Sequence, residues 1–263
     1  MTDPVELQRQ ITRAALAALD EYDFALAGSG AIREHGFIDR LSHDVDLFTP
    51  FVSNDVFDAG IDTVRKALTR DGFTVDVVRR EPSFAQLRVT TAAGEEVDVD
   101  LAVDWRARRP VSLDVGLVLD VHDAVASKVG AVYSRLEARD FIDVDAIRTS
   151  GRFTDQELLD LAADRDDGFV PRIYGTQLRQ LTRIPDERFA EYGVIASDLA
   201  ALRTRFAGWA TTLSDTSSGS TPSATTPGDS LARRGTQKDP WPTDASTHPA
   251  PGTAPRADRP RLA

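Results

Sequence analysis

Hydrophobic positions in the first part of the chain switch between helical and extended spacing. Apolar residues recur every three or four positions in three segments, which predicts helices at Val5–Leu19, Ala31–Gly36 and Val56–Arg70. Five segments are short apolar runs or alternate polar with apolar residues, which predicts strands at Phe24–Ala27, Asp44–Phe48, Phe73–Arg79, Phe84–Thr91 and Glu96–Val103. We interpret Gly28-Ser29-Gly30 as a tight loop after the first strand. This part of the chain therefore combines helices with a sheet.

The pattern becomes helical after residue 120 and then changes in composition. Helical spacing predicts five more helices, at Val121–Tyr133, Asp140–Ile147, Asp155–Ala163, Tyr174–Arg183 and Ser197–Leu213. From residue 211 the chain holds eight of its fourteen prolines and too few aliphatic residues to form a core. We predict a core at 1–120, a helical lobe at 121–210 and a disordered tail at 211–263. The predicted fold class is α/β (α+β), a mixed sheet flanked by helices and followed by the lobe and the tail.

Composition narrows the classes of function. The chain has no cysteine, which excludes disulfides, cysteine-based zinc sites and thiol nucleophiles. No run approaches the roughly 20 apolar residues of a membrane span, and the first ten residues lack the pattern of a secretory signal. We therefore expect a cytoplasmic protein without membrane contact. A net charge of −11 argues against a surface that binds nucleic acid everywhere, although it leaves room for a local site.

Two carboxylates stand two residues apart in the strand predicted at Asp44–Phe48. Asp44 and Asp46 project from the same face of that strand because side chains alternate along it. Adjacent carboxylates repel each other unless a cation lies between them, and Mg²⁺ prefers such oxygen ligands. The alternative is an exposed strand face on an acidic protein.

Two further features favour the metal site. The segment Glu96-Val97-Asp98-Val99-Asp100 repeats the acidic alternation on another predicted strand and offers a third carboxylate. Gly28 and Ser29 stand between a strand and a helix, where backbone N–H groups can bind phosphate. Together these features fit a triphosphate held by backbone amides, with metal ions between its phosphates and the carboxylates.

The same residues resemble the signature of a known superfamily. Gly28-Ser29, fourteen further residues and Asp44-Val45-Asp46-Leu47-Phe48 are similar to the motif of nucleotidyltransferases of the DNA polymerase beta type. The approach to the aspartates, Arg40-Leu41-Ser42-His43, resembles the AbiEii/AbiGii-type toxins within it. Gly28-Ser29-Gly30 departs from the commoner Gly-Gly-Thr start of that branch. The resemblance implies a nucleotidyltransferase-fold sheet.

A second block, in the helical half, extends the resemblance. Lys128 is followed by Arg135, Arg139, Asp140 and Asp143, similar to the lysine and R-x-x-x-R-D-h-h-D segment (h, apolar) of the AbiEii type. The chain has 28 arginines and three lysines, so a lysine at this position is informative. The resemblance implies that Lys128 contacts nucleotide phosphates and that Asp140 orients it or acts near the attacking hydroxyl. A structural network of ion pairs is the alternative for these aspartates.

The resemblance also implies roles for the other motif residues. Asp44 and Asp46 would bind Mg²⁺ (or Mn²⁺) and the triphosphate. Asp100, with Asp98 as the alternative, would join them and help to activate the acceptor hydroxyl. Gly28 and Ser29 would hold the outer phosphates of the nucleoside triphosphate (NTP).

The implied activity is transfer of a nucleoside monophosphate to an acceptor hydroxyl. The acceptor would be the 3′ end of tRNA, and the protein the toxin of a toxin–antitoxin pair whose antitoxin is a separate chain. Arginines of the helical half could bind the acceptor backbone or could be ordinary helix faces; they are Arg172, Arg179, Arg183, Arg203 and Arg205. Two alternatives remain: an enzyme that modifies a small molecule or a protein hydroxyl, and an inactive nucleotide-binding module of the same fold.

Overall fold

Seven strands within the described residues form one mixed sheet. The computed structural model describes residues 3–50 and 52–215, which belong to one compact unit, Met1–Ser223. The strands are β1 (Ala25–Leu26), β2 (Asp44–Thr49), β3 (Thr74–Glu81), β4 (Phe84–Thr90), β5 (Glu96–Val103), β6 (Val111–Leu113) and β7 (Gly116–Val118). Their order is β3-β4-β5-β2-β1-β7-β6; β2 is parallel to β5 and β1 to β7, and the other neighbours are antiparallel. The predicted mixed sheet is confirmed.

Nine α-helices occur in the part of the chain that the structure describes. They are α1 (Pro4–Ala18), α2 (Gly28–Glu34), α3 (Asn54–Arg70), α4 (Val121–Ser134), α5 (Ala138–Thr149), α6 (Asp155–Arg165), α7 (Pro171–Arg179), α8 (Asp186–Ala190) and α9 (Ala196–Asp215). No helix over residues 3–50 and 52–215 is both long and apolar enough to cross a membrane.

The central strands β2 and β5 are two-faced. Val45 and Leu47 of β2, and Val99 and Leu101 of β5, are fully or almost fully buried in the hydrophobic core. The aspartates that alternate with them, Asp44 and Asp46 of β2 and Asp98 and Asp100 of β5, are partly buried and form an acidic face. The apolar face anchors the sheet, so the acidic face is held rigidly on the other side.

The helix α4 passes over the acidic face and begins at a defined point. Asp120 caps it, since its carboxylate accepts a hydrogen bond of 2.9 Å from the backbone N–H of His122. Ala124, Val125 and Val129 are buried, which holds one side of α4 against the core. This anchoring fixes the position of Lys128 on the same helix.

The prediction of a loop at Gly28-Ser29-Gly30 is wrong, because α2 begins at Gly28 itself. Ser29, Gly30 and Ala31 are buried beneath neighbouring elements, and burial overrides the turn preference of glycine. The phosphate-binding position predicted before a helix is thus the first turn of that helix.

Two other features differ from the sequence pattern. The hairpin of β6 and β7 is absent from the prediction, since strands of three residues are too short to show alternation. At the other end α9 continues to Asp215, five residues into the predicted tail. The remainder of the predicted disordered tail, 216–263, lies outside the described residues.

Candidate active site

Three carboxylates from two neighbouring parallel strands converge on the acidic face. β2 and β5 pair so that Asp46 lies beside Asp100, and Asp44 projects from the same face because it is two residues from Asp46. One carboxylate oxygen from each of the three lies within 4.8 Å of the others. Such a set of convergent oxygens is what Mg²⁺ takes from a protein.

Burial and mutual repulsion raise the pKa of two of these groups. Burial, followed by repulsion from Asp44, raises the pKa of Asp46 to about 7, although Lys128 and Arg139 act in the opposite direction. Burial, again followed by repulsion from Asp44, raises the pKa of Asp100 to about 6. The Oδ1 atom of Asp100 is buried and has no hydrogen-bond partner among the described residues. A cation would both satisfy this oxygen and relieve the repulsion, so these residues fit a divalent metal ion.

Gly28 lies directly against this cluster. A Cβ atom at this position would be 1.7 Å from Oδ2 of Asp46, and the φ of Gly28 is +54°, in the left-handed region. Only glycine allows both the conformation and the close approach. The backbone at the start of α2 therefore packs directly against the carboxylate cluster.

Lys128 belongs to a buried network that joins α2, α4 and α5. Its Nζ donates a hydrogen bond of 2.8 Å to Oγ of Ser29 and forms a 2.8 Å ion pair with Oδ2 of Asp143. The Ser29 hydroxyl donates to Asp143 (2.9 Å), and Arg40 donates to both Ser29 (2.8 Å) and Asp143 (2.6 Å). Burial alone would raise the pKa of Asp143, but Lys128 and Arg40 hold it below its ordinary value. The network presents Ser29 and Lys128 side by side.

Asp140 has a different partner from the one expected. Its carboxylate accepts two hydrogen bonds of 2.8 Å from Arg135, in a bidentate pair, and lies 3.7 Å from Lys128. Asp143 is closer to Lys128, so it is the aspartate that orients the ammonium in this geometry. Asp140 instead fixes Arg135, whose side chain is about half exposed.

Asp44 and Asp98 also differ in their partners. Oδ1 of Asp44 accepts a hydrogen bond of 3.0 Å from Ser42, and Oδ2 lies 3.7 Å from Arg139. Asp98 forms a bidentate pair with Arg88 of β4, at 2.9 and 3.1 Å. Asp98 is thus paired with an arginine, whereas Asp100 belongs to the cluster of three carboxylates.

These groups surround one cavity of about 150 Å³, the catalytic cavity. Its lining consists of Gly28, Ser29, Asp44, Asp46, Phe48, Asp100, Ser127, Lys128, Ala131, Arg135 and Arg139. Six of the seven residues predicted to act in catalysis, nucleotide binding or metal binding line this cavity, and Asp140 does not. Sequence reasoning gave no role to Arg40 or Ser42, although both stand in the segment just before Asp44.

The arginines of the helical half have mostly internal partners. Arg205 forms a bidentate pair with Asp145, Arg203 pairs with Asp186, and Arg179 donates to Ser214. Arg172 and Arg183 are exposed and remain candidates for the predicted polynucleotide contact. That contact stays a prediction.

Comparison with known proteins agrees with this geometry. The family described as "Nucleotidyl transferase AbiEii toxin, Type IV TA system" matches residues 11–223. A search of the curated proteins finds no significant match.

Two solved structures show the same fold. MenT4, a nucleotidyltransferase toxin from Mycobacterium tuberculosis, is 22% identical, with a TM-score of 0.53 over 79% of this chain and 84% of that one. JHP933 from Helicobacter pylori is 14% identical, with a TM-score of 0.50 over 83% of this chain and 97% of that one.

Proposed function

The chain belongs to the AbiEii nucleotidyltransferase toxin family, and from this premise we propose that it transfers a nucleoside monophosphate from an NTP to the 3′ end of tRNA. The observation that carries the proposal is the convergence of Asp44, Asp46 and Asp100 within 4.8 Å of one another, in one cavity with Ser29 and Lys128. A cation site beside a phosphate site is what nucleotidyl transfer requires.

Asp44, Asp46 and Asp100 would hold Mg²⁺ (or Mn²⁺). The bound cation would act as a Lewis acid and would neutralise the charge that develops on the phosphate oxygens. The unpartnered Oδ1 of Asp100 and the raised pKa values of Asp46 and Asp100 support this assignment, because each is a cost that a cation would remove.

The protein's own residues would bind and orient the triphosphate. The backbone at Gly28, the hydroxyl of Ser29 and the ammonium of Lys128 would contact the outer phosphates, since all three line the catalytic cavity. Asp143 and Arg40 would act as positioning residues by holding Lys128 and Ser29 in place. Asp140 would act in the same way on Arg135, which reaches the cavity from α4.

Asp100 would receive the proton that the reaction releases. The acceptor hydroxyl oxygen attacks the α-phosphorus, the bond from that phosphorus to the pyrophosphate oxygen breaks, and pyrophosphate leaves. The hydroxyl proton would pass to the carboxylate of Asp100, at the oxygen that does not hold the cation.

Membership of a type IV toxin–antitoxin family implies an antitoxin as partner and a nucleotide as substrate. We propose that the antitoxin is a separate protein chain and that the toxin acts in the cytoplasm, where tRNA is present.

The test is transfer of label from each radiolabelled NTP to total RNA in the presence of Mg²⁺. We expect label on a band of tRNA length with one NTP or more, and none with Asp46→Asn. Label on protein or on small molecules instead of RNA would favour the rival acceptor classes. No transfer to any acceptor, from any NTP, would support the inactive module.

A further inference from the structure

A second cavity adjoins the catalytic cavity and shares lining residues with it. It has a volume of about 400 Å³ and lies between the end of β5 and helices α4 and α6; we call it the Trp105 pocket. Ser127, Ala131 and Arg135 line both cavities. A ligand held by its phosphates in the catalytic cavity could therefore extend along α4 into this pocket.

The sizes of the two cavities support a shared ligand. Sites for small molecules and cofactors usually have about 300–1,000 Å³, so the catalytic cavity, at about 150 Å³, is too small for a whole nucleotide. With the Trp105 pocket it reaches that range. A third cavity, of about 540 Å³, shares no lining residue with the catalytic cavity within the described residues. Three glutamates line it, Glu95, Glu96 and Glu191, and these would repel phosphates.

The walls of the Trp105 pocket are aromatic and firmly held. Trp105 is 46% exposed, and its backbone carbonyl accepts a hydrogen bond of 2.8 Å from Arg165, which also pairs with Asp104. The rings of Tyr133 and Phe169 have centroids 4.9 Å apart. Bases stack on such side chains whatever their sequence because every base has a flat π face.

We propose that the Trp105 pocket binds the base of the incoming NTP, with Trp105 as its stacking surface. This inference rests on the proposed function and specifies it, since it assigns the triphosphate to the catalytic cavity and the base to the pocket. The exposure of a large aromatic side chain beside a polar cavity is then explained by the ligand that covers it.

Tripolyphosphate, a triphosphate without a base, separates the two halves of the site. With Mg²⁺ and without acceptor, we expect Trp105→Ala to weaken NTP binding in calorimetry by at least about five-fold. Its binding of tripolyphosphate should stay unchanged. Trp105→Phe, which keeps an aromatic ring, should restore most of the affinity for the NTP. Leu41→Ala, which changes an exposed apolar residue of the third cavity, is the matched control and should bind both ligands normally.

A second pair of variants tests the pocket without removing the tryptophan. A Cβ atom at Gly130 of α4 would meet no atom within 4 Å, and Gly130 lines the Trp105 pocket. Gly130→Leu should fill the pocket and weaken NTP binding, whereas Gly130→Ala should have little effect. Both substitutions favour the helix, so they should fold.

Three outcomes would overturn the inference. The first is normal NTP binding by Trp105→Ala and Gly130→Leu in a protein that binds tripolyphosphate. The second is a higher KM for the acceptor RNA with normal NTP binding, which would give the pocket to the acceptor. The third is wild-type protein that binds neither NTP nor tripolyphosphate, and in that case the proposed function fails as well.

Discussion

Gly28 combines a left-handed backbone conformation with a close approach to the carboxylate of Asp46, and no residue with a Cβ atom fits both. Gly28→Ala would bring a methyl group into Oδ2 of Asp46 and would also strain the backbone at a φ of +54°. We expect a loss of transfer activity of at least about 100-fold, because a misplacement of about 1 Å at a reacting centre has that cost. Steady-state transfer assays with the labelled NTP measure it.

Gly36→Ala is the matched control for that substitution. Gly36 has a φ of +76°, but a Cβ atom there would meet nothing within 4 Å. In both variants the strain of a left-handed backbone at alanine should lower the free energy of unfolding by about 1–2 kcal/mol. Only Gly28→Ala should lose activity, and equal activities of the two variants would contradict the role of the close approach.

Asp46 should destabilise the metal-free protein above neutral pH. Its pKa is about 7 in the folded protein, against an ordinary value of 3.8. The folded state therefore binds this proton more tightly, and the stability present below pH 4 is lost as the pH rises through 7. The side chain of Asp46→Asn cannot ionise. At pH 8 with chelator, the free energy of unfolding of this variant should therefore exceed that of wild type by up to about 4 kcal/mol.

Thermal or denaturant unfolding at pH 4 and pH 8 measures that difference. The two proteins should differ by less than about 1 kcal/mol at pH 4, where Asp46 is protonated in folded wild type and only partly ionised in unfolded wild type. A variant less stable than wild type at pH 8 would show that the Asp46 carboxylate is stabilised rather than strained. The same variant should have no transfer activity.

Single residues also show where sequence reasoning stops. Lys128 could be singled out because lysine is rare in this chain, and it does line the catalytic cavity. Its contact with Ser29 joins residues 99 positions apart, and nothing in either segment specifies that pairing. The partner of Lys128 was assigned to Asp140 for the same reason, since two aspartates one turn apart differ only in their tertiary surroundings.

At the scale of elements, the register between β2, β5 and β4 decides which carboxylates are available. Asp98 lies beside Arg88 of β4, whereas Asp100 lies beside Gln86 and keeps one oxygen without a protein partner among the described residues. We expect Asp100→Asn to reduce transfer by at least about 100-fold, as the loss of a group that acts in the transition state does. Asp98→Asn should retain most of the activity.

Asp98→Asn is also the control for folding in that pair. Its partner Arg88 is 41% exposed, so the ion pair is screened by solvent and its loss should change the stability little. Activity and unfolding are measured on the same preparations. An inactive but folded Asp98→Asn, beside an active Asp100→Asn, would reverse the assignment of the two aspartates.

The elements differ in how far their sequence predicts them. The strands β2 and β5 could be predicted because six and eight residues show the alternation clearly. β6 and β7 have three residues each, and such short strands depend on their neighbours for definition. The sheet order, which brings β2 and β5 side by side, is a product of long-range packing that no local pattern contains.

At the scale of the whole molecule, the acidic charge has a local explanation. The chain carries a net charge of −11, and its last 53 residues are close to neutral, so the first 210 residues carry the excess. Three of those negative charges face one another in the catalytic cavity, whereas Asp98, Asp140 and Asp143 are each paired with arginine or lysine. The net negative charge therefore does not argue against a phosphate-bearing substrate, because a cation would neutralise the three carboxylates in the catalytic cavity.

Mg²⁺ should stabilise the folded protein, and more so at high pH. Binding to the native state alone adds about 2.7 kcal/mol at a concentration 100 times Kd, which is several degrees in Tm for a domain of this size. At pH 5.5 protons compete for Asp46 and Asp100, whose pKa values are about 7 and about 6, whereas at pH 8 both are ionised. Thermal unfolding with Mg²⁺ or chelator should thus show a larger shift at pH 8. Asp46→Asn should lose most of it, and an equal shift in that variant would move the cation away from the three carboxylates.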